Sequence, residues 1–326
     1  MDIPAPQRLA PDVWHVSSPI PEGQISHTLT YVLAGDDRRV HLIDPGWGSA
    51  DNLAALADSL GRIGYSLSDI ATVIVTHHHP DHLGLAGRLR VESGAVVIFS
   101  EIEVEVLARQ LAPATRDLAT YEELLDSWGV PADRRPELRS QFDRPAWLEP
   151  VEPDRTVRGG DRLQLGGHEL LVLATPGHTG GHICLVDSGR GFIYTGDHVL
   201  PEIFAGVGIG SLPGTHPLAD YIDSLALLKP WDDLTVLPGH ERVFTGLGPR
   251  RRAIARHHLK RTEEVKQLSV HLGEASVWEY ASRMTWTSGW DGLVKFWLHS
   301  ALSQTSLHLD VVRSGRLDDL LDREGT

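Results

Sequence analysis

Several loops of this 326-residue chain carry residue types that can hold metal ions. The densest is His77-His78-His79-Pro80-Asp81-His82, between a predicted strand and a predicted helix. His77 and His79 lie two apart at the strand end, so both can converge on one ion. Asp81 and His82 stand at the turn into the helix and can face a second ion beside it. Three later loops add His178 in Pro176-Gly177-His178-Thr179, Asp197 in Thr195-Gly196-Asp197-His198, and His240 in Leu237-Pro238-Gly239-His240. Asp44 ends an earlier strand. A glycine beside each later residue lets the backbone bend sharply at the strand end. The chain has 18 histidines and one cysteine, Cys184, so any metal site must be built mainly from imidazole and carboxylate. The single cysteine also excludes an intrachain disulfide.

The elements that position these loops follow from hydrophobic spacing. Val40–Ile43 reads as a short strand running into the Asp44-Pro45-Gly46 turn. Residues 50–63 show helical spacing through Leu53, Leu56, Leu60 and Ile63. Ile70 to Val75 is a continuous apolar strand that stops at Thr76, and Ala95 to Phe99 is another. Further strands are predicted at Leu163–Leu165, Glu169–Ala174, His182–Val186, Phe192–Tyr194 and Leu234–Leu237, with a helix over 217–228. Residues 101–144 are helical in pattern, with little strand signal, and read as an inserted helical subdomain or lid. From about Gly248 the pattern is mainly helical, over 250–271, 275–284 and 291–306. Val311 to Leu317 reads as a small β wing turning at Gly315. Three helices and a β hairpin make a winged-helix domain.

The ligand-bearing residues give the chain a strong resemblance to the metallo-β-lactamase superfamily. Its H-x-H-x-D-H signature stands here as His77, His79, Asp81 and His82, and its later His, Asp and His stand in order as His178, Asp197 and His240. The resemblance implies that His77, His79 and His178 hold one metal, that Asp81, His82 and His240 hold another, and that Asp197 bridges the two. It gives Asp44 a supporting place behind the ligands. Gly196-Asp197-His198-Val199-Leu200-Pro201 and the Arg-rich segment from Arg250 resemble the branch with a C-terminal winged helix. The sequence departs from that branch after Pro201. The implied fold is an α/β class αββα sandwich over 1–248, with the 101–144 insert, followed by a winged-helix-like domain over 249–326.

Such a site suits two divalent ions, zinc first and also iron or manganese. Two ions lower the pKa of water far enough to supply hydroxide near neutral pH, and they polarise a carbonyl or phosphoryl oxygen. Asp81 can orient the hydroxide and assist proton transfer as the catalytic carboxylate. The expected activity is hydrolysis of a small-molecule ester, thioester or lactone. Trp47, Tyr194 and Phe204, with His216, are candidates to line the substrate pocket. His78 and His198 have no ligand slot and read as surface or supporting residues. Cys184, between Ile183 and Leu185, reads as a buried, inert thiol.

Charge bears on the alternatives. The whole chain has 30 Lys+Arg against 44 Asp+Glu, a formal net charge of −14. Residues 1–249 carry net −16 and residues 250–326 net +2. An acidic body repels a phosphate backbone, which argues against an endoribonuclease of the winged-helix type and against nucleic acid as a partner. Arg250, Arg251, Arg252, Arg256, Lys260 and Arg261 form a basic run that reads as either a solvated helix face or a phosphate contact. A DNA-binding regulator with a vestigial enzyme domain is disfavoured by the intact ligand set, and redox chemistry at iron is a further alternative. The N-terminus shows no signal-peptide pattern and no stretch is long and apolar enough to span a membrane, so a cytoplasmic protein is expected. Trp278, Trp286, Trp290 and Trp297 suggest an apolar contact with the first domain or with a second copy in a homo-oligomer.

Overall fold

The computed structural model describes residues 4–21, 25–113, 117–139 and 150–324. Residues 114–116 and 140–144 of the expected insert, and 325–326 of the tail, lie outside them. The first sheet has seven strands in sequence order: β1 (Gln7–Ala10), β2 (Val13–Pro19), β3 (His27–Ala34), β4 (Val40–Ile43), β5 (Ile70–Ile74), β6 (Val96–Ser100) and β7 (Arg155–Val157). Pairing is antiparallel as far as β3–β4 and parallel from β4–β5 onward. The second sheet has five: β8 (Arg162–Leu165), β9 (His168–Ala174), β10 (Ile183–Asp187), β11 (Phe192–Gly196) and β12 (Thr235–Pro238). Its pairs are antiparallel except β11–β12, which is parallel.

Strand side chains alternate between two apolar environments. In β6, Val97 and Phe99 point to the outer helices, while Ile98 points to the space between the sheets. Ile74 of β5 faces inward in the same way and Val73 outward. A strand covered on both faces needs no polar alternation, which is why Ile70 to Val75 is apolar but for the buried Thr72. The outer face of the first sheet is covered by α1 (Ala50–Arg62) and, after the short α2 (Pro80–Leu83), by α3 (Ala86–Ser93) and α4 (Glu101–Leu111). After α5 (Leu118–Ser127) and α6 (Arg135–Arg139), the second sheet is covered by α7 (Pro217–Leu227) and α8 (Leu247–Leu272). The αββα layering is as the family resemblance implies.

The tail continues with α9 (Val277–Ala281), α10 (Lys295–Arg313) and α11 (Leu317–Glu324). Here the structure corrects the sequence reading. The expected β wing at 311–317 is not formed, and no strand occurs among the described residues after Leu247. Val311 is the continuation of a helical stripe that runs through Leu298, Ala301, Leu302, Thr305, His308 and Leu309. Gly315, at φ 70°, closes α10 rather than turning a hairpin. Arg316 N donates to Val311 O and Gly315 N to Val312 O, the paired bonds of a Schellman helix end. The tail is a helical layer and not a winged helix.

The insert and the tail share a core. Tyr121, Leu125, Trp128, Val130 and Leu138 pack with Val265, Tyr280, Leu298, Leu302 and Leu309. Trp278, Trp286 and Trp290 pack against the same cluster, whereas Trp297 is 44% exposed.

Candidate metal centre

The chemistry-bearing loops all follow the C-terminal ends of strands, and they meet at one rim of the sandwich. Asp44 follows β4, His77 to His82 follow β5, His178 follows β9, Asp197 follows β11 and His240 follows β12. The parallel pairs β4–β5 and β11–β12 bring their loops out side by side. Two backbone bonds stitch the sheets together at this rim, Leu29 N to Gly239 O at 2.7 Å and Ile183 N to Thr76 O at 3.1 Å.

Two clusters of potential ligand atoms result. His77, His79, His178 and Asp197 form one; Asp81, His82 and His240 form the other. Within each, the ligand atoms lie within 4.8 Å of one another. All seven residues singled out from the sequence are therefore brought together. In the first cluster His77 Nε2 is 2.9 Å from His79 Nδ1, which is 3.2 Å from His178 Nε2. In the second His82 Nε2 is 3.2 Å from His240 Nε2, and His240 Nε2 is 3.3 Å from Asp81 Oδ2. Asp197 spans both. Its Oδ2 is 3.6 Å from His178 Nε2, and its Oδ1 is 3.4 Å from His82 Nε2 and 3.3 Å from His240 Nε2. Gly239 makes this approach possible, because a Cβ there would sit 2.5 Å from Asp197 Oδ1 and 2.7 Å from His82 Cε1.

The outward nitrogens decide the tautomers. His82 Nδ1 donates to Asp44 Oδ2 at 2.8 Å, His178 Nδ1 to Gly206 O at 2.6 Å and His240 Nδ1 to His27 O at 2.9 Å. His77 Nδ1 lies 3.0 Å from Thr76 Oγ1, whose own hydrogen goes to Asp44 Oδ2. With a proton held on the outer nitrogen, the inner nitrogen of each of these four rings is the one placed to ligate. Inner nitrogens this close to one another repel unless a metal ion or a shared proton lies between them. The donor set thus fits metal ions on its own chemistry. Asp44 adopts φ 53°, and is fixed there by accepting from Thr76 N, Thr76 Oγ1 and His82 Nδ1.

Burial pushes the His77 and His79 imidazoles well below their ordinary pKa, which keeps them neutral and able to ligate. Burial alone would also lower His82, but the carboxylates of Asp197, Asp81 and Asp44 together raise it to about 9. Its proton is therefore one that a metal would have to displace.

The pocket candidates separate. Phe204 is 43% exposed, stacks on His257 at 4.0 Å and lies under the Arg250 guanidinium. Trp47 is half-buried just after Asp44 and Gly46, and its carbonyl accepts from Asn52 Nδ2. Tyr194 is enclosed between the sheets, edge-on to Tyr31, with no exposed surface to offer a substrate. His216 is half-buried, and its Nδ1 is 2.9 Å from Asp310. Arg250, Arg251 and Arg261 of the basic run are engaged within the fold, while Arg256 and Lys260 are exposed. Arg250 donates to Leu200 O, Glu202 O and Ile203 O; Arg251 pairs with Asp232; Arg261 bonds Glu264 and lies over Trp286.

Sequence reasoning missed Glu103. Its carboxylate is 1% exposed and holds His78 and the loop after His178. The available signal, Ser100 three residues before Glu103, reads as a helix cap, and Ser100 Oγ does accept from Glu103 N. Nothing in that spacing shows that the carboxylate turns away toward the rim.

Two facing sheets flanked by helices, with two imidazole–carboxylate clusters at one rim, define a metal-binding hydrolase class. The chain belongs to the metallo-beta-lactamase superfamily, whose family model matches residues 25–240. It is 28% identical over 264 residues to the probable metallo-hydrolase YqjP of Bacillus subtilis (strain 168), covering 79% of this chain and 80% of that one. It is 32% identical over 177 residues to the acyl-coenzyme A thioesterase MBLAC2 of Gallus gallus, covering 52% of this chain and 56% of that one. Among solved structures it resembles the metallo-beta-lactamase family protein TTHA1429 of Thermus thermophilus, with TM-score 0.76 and 26% identity over 94% of this chain and 95% of that one. Among the described residues, no helix is long and apolar enough to cross a membrane.

Proposed function

We propose that this chain is a dinuclear metal-dependent hydrolase of a small acyl substrate, a thioester ahead of an ester or lactone. The observation that carries the reading is Asp197, whose two oxygens face the two clusters separately. His77, His79 and His178 would hold one ion, Asp81, His82 and His240 the other, and Asp197 would bridge them. Zinc suits this nitrogen-rich set best, with iron or manganese as substitutes. Two such ions supply hydroxide near neutral pH and polarise the scissile carbonyl.

The chain's own residues do the rest. Asp81 is the more exposed of the two carboxylates, with its side chain 18% exposed, and Thr28 Oγ1 donates to its Oδ2 at 3.4 Å. That placement suits it to hold the attacking water and to pass a proton toward the leaving group. His79, like Asp81, is only half-buried, which puts the open side of the site between them. The thioester preference is supported by the thioesterase relative, and the net charge of −16 over residues 1–249 disfavours an RNA backbone.

The test is metal analysis followed by a substrate panel of acyl-thioesters, p-nitrophenyl esters, lactones, a chromogenic β-lactam and RNA. Two zinc-like ions per chain and turnover of a thioester that disappears in Asp197→Ala are expected. Full activity in Asp197→Ala would remove the ligand set, and faster cleavage of RNA than of any carbonyl substrate would remove the substrate class.

A further inference from the structure

We infer that Glu103 is a positioning residue for the first metal cluster: one buried carboxylate sets the spacing between its two ligand-bearing loops. Glu103 lies on α4, outside both clusters. Its Oε1 accepts from His78 N at 2.8 Å and from His78 Nδ1 at 2.6 Å. Its Oε2 accepts from Thr179 Oγ1 at 3.1 Å and from Gly181 N at 2.8 Å. His78 is the residue between His77 and His79, and Thr179 follows His178. The two oxygens therefore grip the two loops that deliver His77, His79 and His178.

The surroundings are built for this grip. Gly181 has no side chain, and a Cβ there would meet Glu103 N at 2.2 Å and Glu103 Oε2 at 2.6 Å. Ser100 Oγ donates to Gly181 O at 2.5 Å, which anchors the start of α4 on the same loop. The His78 ring rests on Gly210, where a Cβ would come within 2.6 Å of His78 Cε1. Gly210 belongs to the segment whose Gly206 O accepts from His178 Nδ1. A carboxylate buried among four donors accepts from all of them, and no neutral side chain of the same shape can do so. Glu103 touches no ligand atom itself, so it acts through His78 and the 178–181 loop.

This inference rests on the metal reading above, and the experiment separates the two. Ion-free protein is titrated with Zn²⁺ in competition with a chromophoric chelator, for wild type, Glu103→Gln, Glu103→Ala and Leu107→Ala. Leu107 is a core residue of the same helix, 4% exposed, and serves as the stability control. One of two Zn²⁺ affinities is expected to weaken about 10- to 100-fold in Glu103→Ala, with the other unchanged. The shift should be smaller in Glu103→Gln, which keeps one acceptor oxygen, and absent in Leu107→Ala despite its lower Tm. If Glu103→Ala does not fold, Glu103→Gln carries the test alone. Affinities within twofold of wild type in the Glu103 variants, with Tm lowered, would overturn this inference and leave the metal reading intact. Absence of Zn²⁺ binding by wild type would overturn both.

Discussion

Asp44 Oδ2 accepts from His82 Nδ1 at 2.8 Å and from Thr76 Oγ1 at 2.7 Å, so one carboxylate orients an imidazole in each cluster. The Thr76 hydroxyl passes the constraint on, because it faces His77 Nδ1 at 3.0 Å. Asp44→Asn keeps the size and tolerates the positive φ, since asparagine adopts it readily. The amide offers one acceptor where the carboxylate offers two. Metal affinity should fall about 10- to 100-fold, measured by chelator competition. An unchanged affinity would mean that His82 is held by packing alone.

Gly239→Ala tests the closeness of the two clusters. The added methyl has to displace Asp197 or His82, each under 3 Å away. Overpacking of this kind costs about 1–3 kcal/mol of stability. Because the displaced groups are ligand candidates, activity should fall far more than Tm. A variant with wild-type turnover would show that the rim has room to spare.

Acid should unfold this protein through its neutral histidines. Burial pushes His198 and His258 to about 3, against an ordinary value near 6.5. The folded state keeps both uncharged, while the unfolded chain binds a proton on each below about pH 6.5. The stability is present above that pH and is lost as pH falls toward 3, by up to about 1.4 kcal/mol per pH unit for each residue. His258 lies in the core of α8, away from both clusters, and neither ring nitrogen has a hydrogen-bond partner. His258→Leu should flatten the dependence of Tm on pH between 6 and 4 by about one proton. An identical slope would place the acid sensitivity elsewhere.

Cys184 should be silent in the native state. Its thiol is fully buried, donates to Thr195 O and is pushed up to about 12 by burial. A thiol reagent at pH 8 is expected to label it only after denaturant is added. Fast labelling of the folded protein would mean that β10 opens locally.

Much of the site is legible in the residues and their spacing. His77, His79, Asp81, His82, His178, Asp197 and His240 each stand where a strand signal stops, and strand ends gather at one rim in such folds. Most helices and strands from Val40 to Pro238 follow apolar spacing closely, because they bury an apolar face; the short edge strand β7, with Arg155 and Thr156 exposed, does not. Strands β1 to β3 are not legible in this way. In β3, Thr28 and Thr30 are fully buried beside apolar neighbours, so local polarity hides a central strand. The β wing fails for the opposite reason. Val311-Val312 has strand-like residues, but Leu302, Thr305 and Leu309 already commit the chain to a helical stripe. Glu103 escapes because its partners are distant in sequence: His78 lies 25 residues away and Gly181 78.

The shared core of α5–α6 and the C-terminal helices has a consequence for synthesis. Tyr121, Leu125, Trp128 and Leu138 leave the ribosome before the second sheet, but the faces they pack on, from Val265 to Leu309, are made after it. During translation, the α5–α6 residues must wait with their apolar side uncovered while the second sheet assembles. The rim of ligands belongs to strands that are already complete, so the centre can be laid out before the helices beside it find their partners.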